Sequence, residues 1–133
     1  MDSKLSVLIV DDDDLVRAQL KGLLAQAHHV AHELPSAIGV TRAILQHKID
    51  VVAIDIMMPT LSGDKLAQLL RQNPRLSSLA VILISSRPSE ELSQVAKAVG
   101  ADATVNKADL RAKFVPAIEA AVKRRMRGLG PSD

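Results

Sequence analysis

The chain has no cysteine, no tryptophan and no tyrosine, and a single phenylalanine, Phe114. Without cysteine there is no disulfide framework and no thiolate metal site. That composition fits a reducing compartment, and a cytoplasmic location is expected. One ring rules out the stacking platforms that hold single-stranded nucleic acid, which take several exposed aromatics. Long apolar runs are also missing. None approaches the roughly 18 residues of a membrane span, so no membrane partner is expected. The first apolar run, residues 5–10, is broken by Ser6 and ends in four aspartates, which is unlike a secretory signal. Excess charge is small: 17 Lys and Arg against 15 Asp and Glu leave +2. Basic residues thicken only at Lys123, Arg124, Arg125 and Arg127, where cations suit the negative end of a helix dipole. Direct nucleic-acid binding is not expected.

What is present is an aliphatic core. Apolar residues make up 47% of 133, enough for one domain on the length prior. The expected domain is 1–127, followed by a polar tail, 128–133, expected to be disordered. Five strand-then-helix units follow one another. The predicted strands are 5–10, 29–34, 51–55, 79–84 and 103–106. The predicted helices are 14–27, 36–47, 63–72, 89–99 and 109–126. Asp14 and Ser36 are the expected caps of the first two helices. The third helix turns Leu66, Leu69 and Leu70 inward, and Gly100 closes the fourth. Pro116 is expected to kink the fifth or to mark a second start. The four histidines show no metal spacing and read as surface or strand residues. Strands alternating with helices predict an α/β fold, a parallel sheet covered on both faces. Right-handed crossovers put every strand's carboxyl end on one edge, where such sheets bind ligands.

Polar residues stand at that edge. Asp11 and Asp12 follow one apolar run, Asp55 ends a second, Ser85 follows a third, and Lys107 follows the last strand. Two carboxylates about 4 Å apart repel by roughly 4 kcal/mol at an effective dielectric near 20. They must share protons or hold a cation. Oxygen-only side chains suit a hard divalent ion. Mg2+ is the expected cofactor, with Mn2+ as a substitute. Asp12, Asp55 and the backbone carbonyl of Met57 are placed as direct ligands, and Asp11 through water. Asp55 is also a nucleophile able to form an acyl phosphate. Lys107 and the metal would neutralise phosphoryl charge, Ser85 would donate to a phosphoryl oxygen, and small Ser86 would leave the approach open. Taken singly, Ser85 reads as a turn residue and Lys107 as a solvated lysine; their joint placement carries the reading.

These residues resemble a response-regulator receiver domain of two-component signalling. The resemblance covers residues 5–126. It rests on Val10-Asp11-Asp12, on Asp55 with Met58, Pro59 and Gly63, on Ser85 and on Lys107. It implies a flavodoxin-like (βα)5 fold, five parallel strands in the order 2-1-3-4-5. It also implies that Asp55 accepts phosphate from a histidine kinase or histidine phosphotransfer protein and that Asp11 and Asp12 bind Mg2+. Output would leave through the surface of the fourth helix, fifth strand and fifth helix, to a partner protein or by a homodimer. No output module is expected to follow the fifth helix, which reads as a stand-alone switch rather than a turnover enzyme. Two positions depart from the family. Ala108 stands where proline usually follows the lysine on a cis bond, and a cis non-proline bond costs about 2.5–4 kcal/mol, which leaves open whether this loop is cis or trans. Thr104 stands where a switch aromatic is common. Those departures motivate the alternative, a phosphorylation-independent interaction module. A haloacid-dehalogenase-type phosphatase is disfavoured, because Met57 stands where its second aspartate would be.

Overall fold

The computed structural model describes residues 4–128. Its strands are β1 (Ser6–Val10), β2 (Val30–Leu34), β3 (Val51–Asp55), β4 (Ala80–Ser85) and β5 (Ala103–Asn106). Its α-helices are α1 (Asp14–Gln26), α2 (Val40–His47), α3 (Gly63–Gln72), α4 (Ser89–Val99) and α5 (Leu110–Met126). All strand pairs are parallel, in the order β2-β1-β3-β4-β5. This is the flavodoxin-like (βα)5 architecture.

The three central strands are almost continuously apolar because both faces are covered. Alternate side chains go to opposite sides. Leu8, Val10, Val52, Ile54, Val81 and Leu83 pack against Ile44 of α2, Leu66 and Leu70 of α3, and Leu92 and Ala96 of α4. Val7, Ile9, Val51, Ala53, Ile82 and Ile84 pack against Leu20 and Leu24 of α1 and Phe114 and Ile118 of α5. Three helices thus cover one face and two the other. Each fully buried large aliphatic contributes about 1.5–3 kcal/mol, which holds the strand ends in fixed register.

Several expectations need correction. The N-cap of α1 is Asp13, not Asp14; its carboxylate accepts from the amides of Leu15 and Val16. Ser36 does not cap α2. Its Oγ accepts from Ile38 N at 3.2 Å, a local turn that uses up the hydroxyl, and the helix begins four residues later, after Gly39. Leu69 faces solvent at 55% exposure, whereas Ala67 turns inward beside Leu66 and Leu70. Pro116 marks no second start, since α5 runs as one helix through it. The carbonyl that loses its i+4 amide donor at Pro116 belongs to Ala112, which is exposed to water.

His29 is neither a surface nor a strand residue. It is buried just before β2, accepts from Leu5 N at Nδ1 (3.0 Å) and meets Glu119 of α5 through Nε2 (2.8 Å). The expected tail lies outside the described residues from position 129 onward.

At the amino-terminal edge of the sheet, buried Asp102 accepts from Val81 N (2.8 Å), Arg71 (3.1 Å) and Arg125 (2.7 Å). It joins α3, β4 and α5 at the edge opposite the predicted polar stations, and its role is structural.

Candidate phosphoryl and metal site

Parallel pairing with no slip sets the site. Val10 lies beside Ile54 and Asp55 beside Ile84. Ser85 lies beside Asn106. Asp11, Asp55, Ser85 and Lys107 therefore sit at or one residue beyond the ends of four strands, although 96 positions separate Asp11 from Lys107 (107 − 11). Asp11, Asp12 and Asp55 each offer a carboxylate oxygen within 4.8 Å of the others.

The two inner carboxylates are almost wholly buried, Asp11 at 1% and Asp55 at 2% exposure. Burial raises the pKa of Asp55 above the ordinary carboxylate value, and the Asp11 charge adds to the rise; the Met57 amide and Lys107 oppose it. Burial likewise raises Asp11, opposed by the Asp13 amide and by Lys107. Lys107 Nζ lies 3.5 Å from Asp55 Oδ1 and 3.5 Å from Asp11 Oδ2. One ammonium thus faces two buried carboxyl groups. Asp55 Oδ1 accepts from Met57 N at 3.2 Å. Asp11 Oδ1 accepts from Asp13 N at 2.9 Å, while its Oδ2 is buried with no hydrogen-bond partner. A buried carboxylate oxygen that has an ion pair but no hydrogen bond, beside two further carboxylates, fits a hard divalent cation.

The surrounding loops are held by their own side chains. Arg17 of α1 donates to the Asp11 carbonyl at 2.6 Å. Gly63 N donates to Ile56 O at 2.9 Å, laying the start of α3 against the end of β3. Ser85 is buried and its Oγ accepts from Arg87 N at 3.0 Å, whereas Ser86 is exposed. Beside the carboxylates is an open groove of about 590 Å³, lined by Asp12, Met57, Met58, Asp64 and Arg87 among others. Exposed Met57 stands at its rim, its sulfur 3.5 Å from the Arg87 guanidinium. Thr104 is half-buried in β5. The Lys107–Ala108 peptide, whose geometry the sequence left open, is trans.

The family model for the response regulator receiver domain matches residues 7–119. The chain belongs to that family. Among curated relatives it is 31% identical over 107 residues to a gliding motility regulatory protein of Myxococcus xanthus, covering 80% of this chain and 14% of that protein. It is 34% identical over 108 residues to stress response regulator protein 1 of Meyerozyma guilliermondii, covering 79% of this chain and 50% of that protein. The chain therefore spans half or less of those relatives' own length. A solved putative response regulator from Chloroflexus aurantiacus shares the fold at TM-score 0.85 and 22% identity, over 92% of this chain and all of that one.

As a receiver domain, the chain belongs to a family of two-component signal-transduction modules. Among the described residues no helix is long and apolar enough to cross a membrane. Sequence reasoning found the acidic residues, the serine and the lysine. It assigned no role to Arg17, Arg87 or Asn106 in holding the loops. Asn106 had a legible signal, since asparagine at a strand end commonly bonds the backbone two residues on. Arg17 had none, because its contact with Asp11 arises only once α1 folds back over the end of β1.

Proposed function

We propose that this receiver domain is a phosphorylation-controlled switch with Asp55 as its phosphoacceptor. One observation carries the reading. A single lysine ammonium lies 3.5 Å from each of two buried carboxylates at adjacent strand ends. Such a notch is repulsive unless it holds positive charge, and a phosphoryl group brings three more oxygens for the same cations to neutralise. The donor is a histidine kinase or histidine phosphotransfer protein. The Asp55 carboxylate attacks phosphorus as the P–N bond of phosphohistidine breaks, and the electron pair leaves on the imidazole nitrogen. The chain thereby assists its own phosphorylation and, later, its own dephosphorylation, in which water displaces the carboxylate from phosphorus.

Asp11, Asp12, Asp55 and the Met57 carbonyl would hold Mg2+ or Mn2+. That ion would supply charge neutralisation at the phosphoryl oxygens. Lys107 pairs with the phosphoryl group, Ser85 reorients its hydroxyl toward it, and exposed Ser86 leaves the approach free. Moving a two-state surface from about 1:99 to 99:1 takes roughly 5.5 kcal/mol of differential interaction. A new ion pair, a charge-assisted hydrogen bond and the metal are of that order. Output leaves through the face formed by α4, β5 and α5, toward a partner protein or a second copy of the chain. No nucleic acid is contacted directly, and the expected location is the cytoplasm.

The test is labelling by a phosphorylated histidine phosphotransfer protein or by acetyl phosphate. Incorporation should require divalent metal and vanish in Asp55→Asn with the fold intact by circular dichroism. Undiminished labelling of the variant would refute the assignment. No labelling of the parent chain, with a partner bound equally by parent and Asp55→Asn, would instead favour the phosphorylation-independent module.

A further inference from the structure

We infer that Asn106 is a positioning residue that couples the Ser85 loop to the Lys107 loop. The inference rests on the phosphoacceptor reading above and deepens it. Asn106 is the last residue of β5, directly before Lys107 and opposite Ser85 in the sheet. Its side chain engages two loops at once. Oδ1 accepts from Ala108 N at 3.0 Å, and Nδ2 donates to the Arg87 carbonyl at 2.7 Å. Arg87 N in turn donates to Ser85 Oγ at 3.0 Å. A continuous path of hydrogen bonds thus runs from the Ser85 hydroxyl through Arg87 and Asn106 to Ala108, with Lys107 held inside its last turn.

The residue types are those the path requires. A neutral carboxamide is the one side-chain group, with that of glutamine, that presents a donor and an acceptor side by side in one plane. Glutamine is one methylene longer. Aspartate has no donor for the Arg87 carbonyl. Ala108 supplies an N–H only because it is not proline. Asn106 and Ala108 thus belong to one arrangement, since a proline at 108 would leave Oδ1 without its donor. Thr104, with no ring to rotate, plays no part in the path. When Ser85 rotates about Cα–Cβ and carries its Oγ toward a phosphoryl group, the Arg87 amide loses its acceptor, the loop carbonyl shifts, and Asn106 carries that shift to the peptide that orients Lys107.

The coupling is read first without phosphorus, by amide proton–nitrogen NMR of the metal-free chain. Ser85→Ala is expected to shift the Ala108 amide resonance in the parent background and to leave it unmoved in Asn106→Ala and Asn106→Leu. Asn106 is half-exposed, so both variants should fold; unchanged amide shifts in β1 and β3 check this. In the second arm, Mg2+ with beryllofluoride should bind both variants about tenfold more weakly than the parent, within the usual range of coupling between two sites. A shift at Ala108 that is equal in all backgrounds, or absent from the parent, overturns the inference. So does equal beryllofluoride affinity. A parent chain that relays the Ser85→Ala shift but binds no beryllofluoride would leave Asn106 as the link and sink the phosphoacceptor reading instead.

Discussion

A β-carbon on Gly63 would lie 2.1 Å from the Asp55 carbonyl oxygen, 2.7 Å from its carbon and 2.8 Å from Ile54 Cγ2. The first helical residue of α3 therefore rests directly on the strand end that carries the phosphoacceptor candidate. Gly63→Ala should cost at least the 1–3 kcal/mol typical of overpacking, because backbone rather than a flexible side chain must yield. Urea unfolding should show a lower midpoint, with labelling of Asp55 reduced in the fraction that remains folded. At this scale the acidic residues, Ser85 and Lys107 were legible from their positions after apolar runs. The Gly63 contact was not, since a glycine after a proline-containing loop also reads as a plain helix start. Asp102 was not legible either: its partners Arg71 and Arg125 meet it from helices on opposite faces of the sheet.

Element boundaries followed apolar periodicity and failed where local polar groups competed. Four consecutive aspartates offer several caps for α1, and the one whose extended backbone aims its carboxylate at two free amides is Asp13. In the second unit, the His32 ring of β2 stacks on the His47 ring of α2 with centroids 4.2 Å apart. Burial lowers the pKa of His32 below its ordinary value of 6.5, and the His47 charge lowers it further. The unfolded chain therefore binds more protons than the folded chain between the lowered value and 6.5. Stability rises with pH wherever the unfolded state holds the extra protons. This contribution is complete above the ordinary value and is lost as pH falls through the lowered one. The urea midpoint should drop between pH 7 and 5, and His32→Gln should shrink the drop; an identical drop in the variant would remove the pair as its source.

Over the whole molecule, two packed faces force polar chemistry onto the sheet edge, and the carboxylates there are held together against their own repulsion. Burial that raises the Asp11 and Asp55 pKa values is a cost that the folded chain carries until a cation arrives. A metal that binds only the folded state stabilises it by about 2.7 kcal/mol at 100 times its dissociation constant. The thermal midpoint is accordingly expected to rise by several degrees in saturating Mg2+. The rise should be largely lost in Asp12→Ala, which removes an exposed candidate ligand and leaves the buried packing alone. Calorimetry with and without chelator checks both. An equal rise in the variant would place the ion elsewhere.

The sequence by itself determined the α/β class, the parallel sheet and the identity of the chemical groups at its edge. These follow from periodicity, from right-handed crossovers and from which residues end each apolar run, all of which are local along the chain. The tertiary structure alone decided the contacts. It set Lys107 between Asp11 and Asp55, buried His29 against Leu5 and Glu119, laid Gly63 on Asp55, and joined Asn106 to Arg87. Most of those pairings link positions far apart in the chain. They arise only when strand register and helix packing have fixed the distances, which no local pattern encodes.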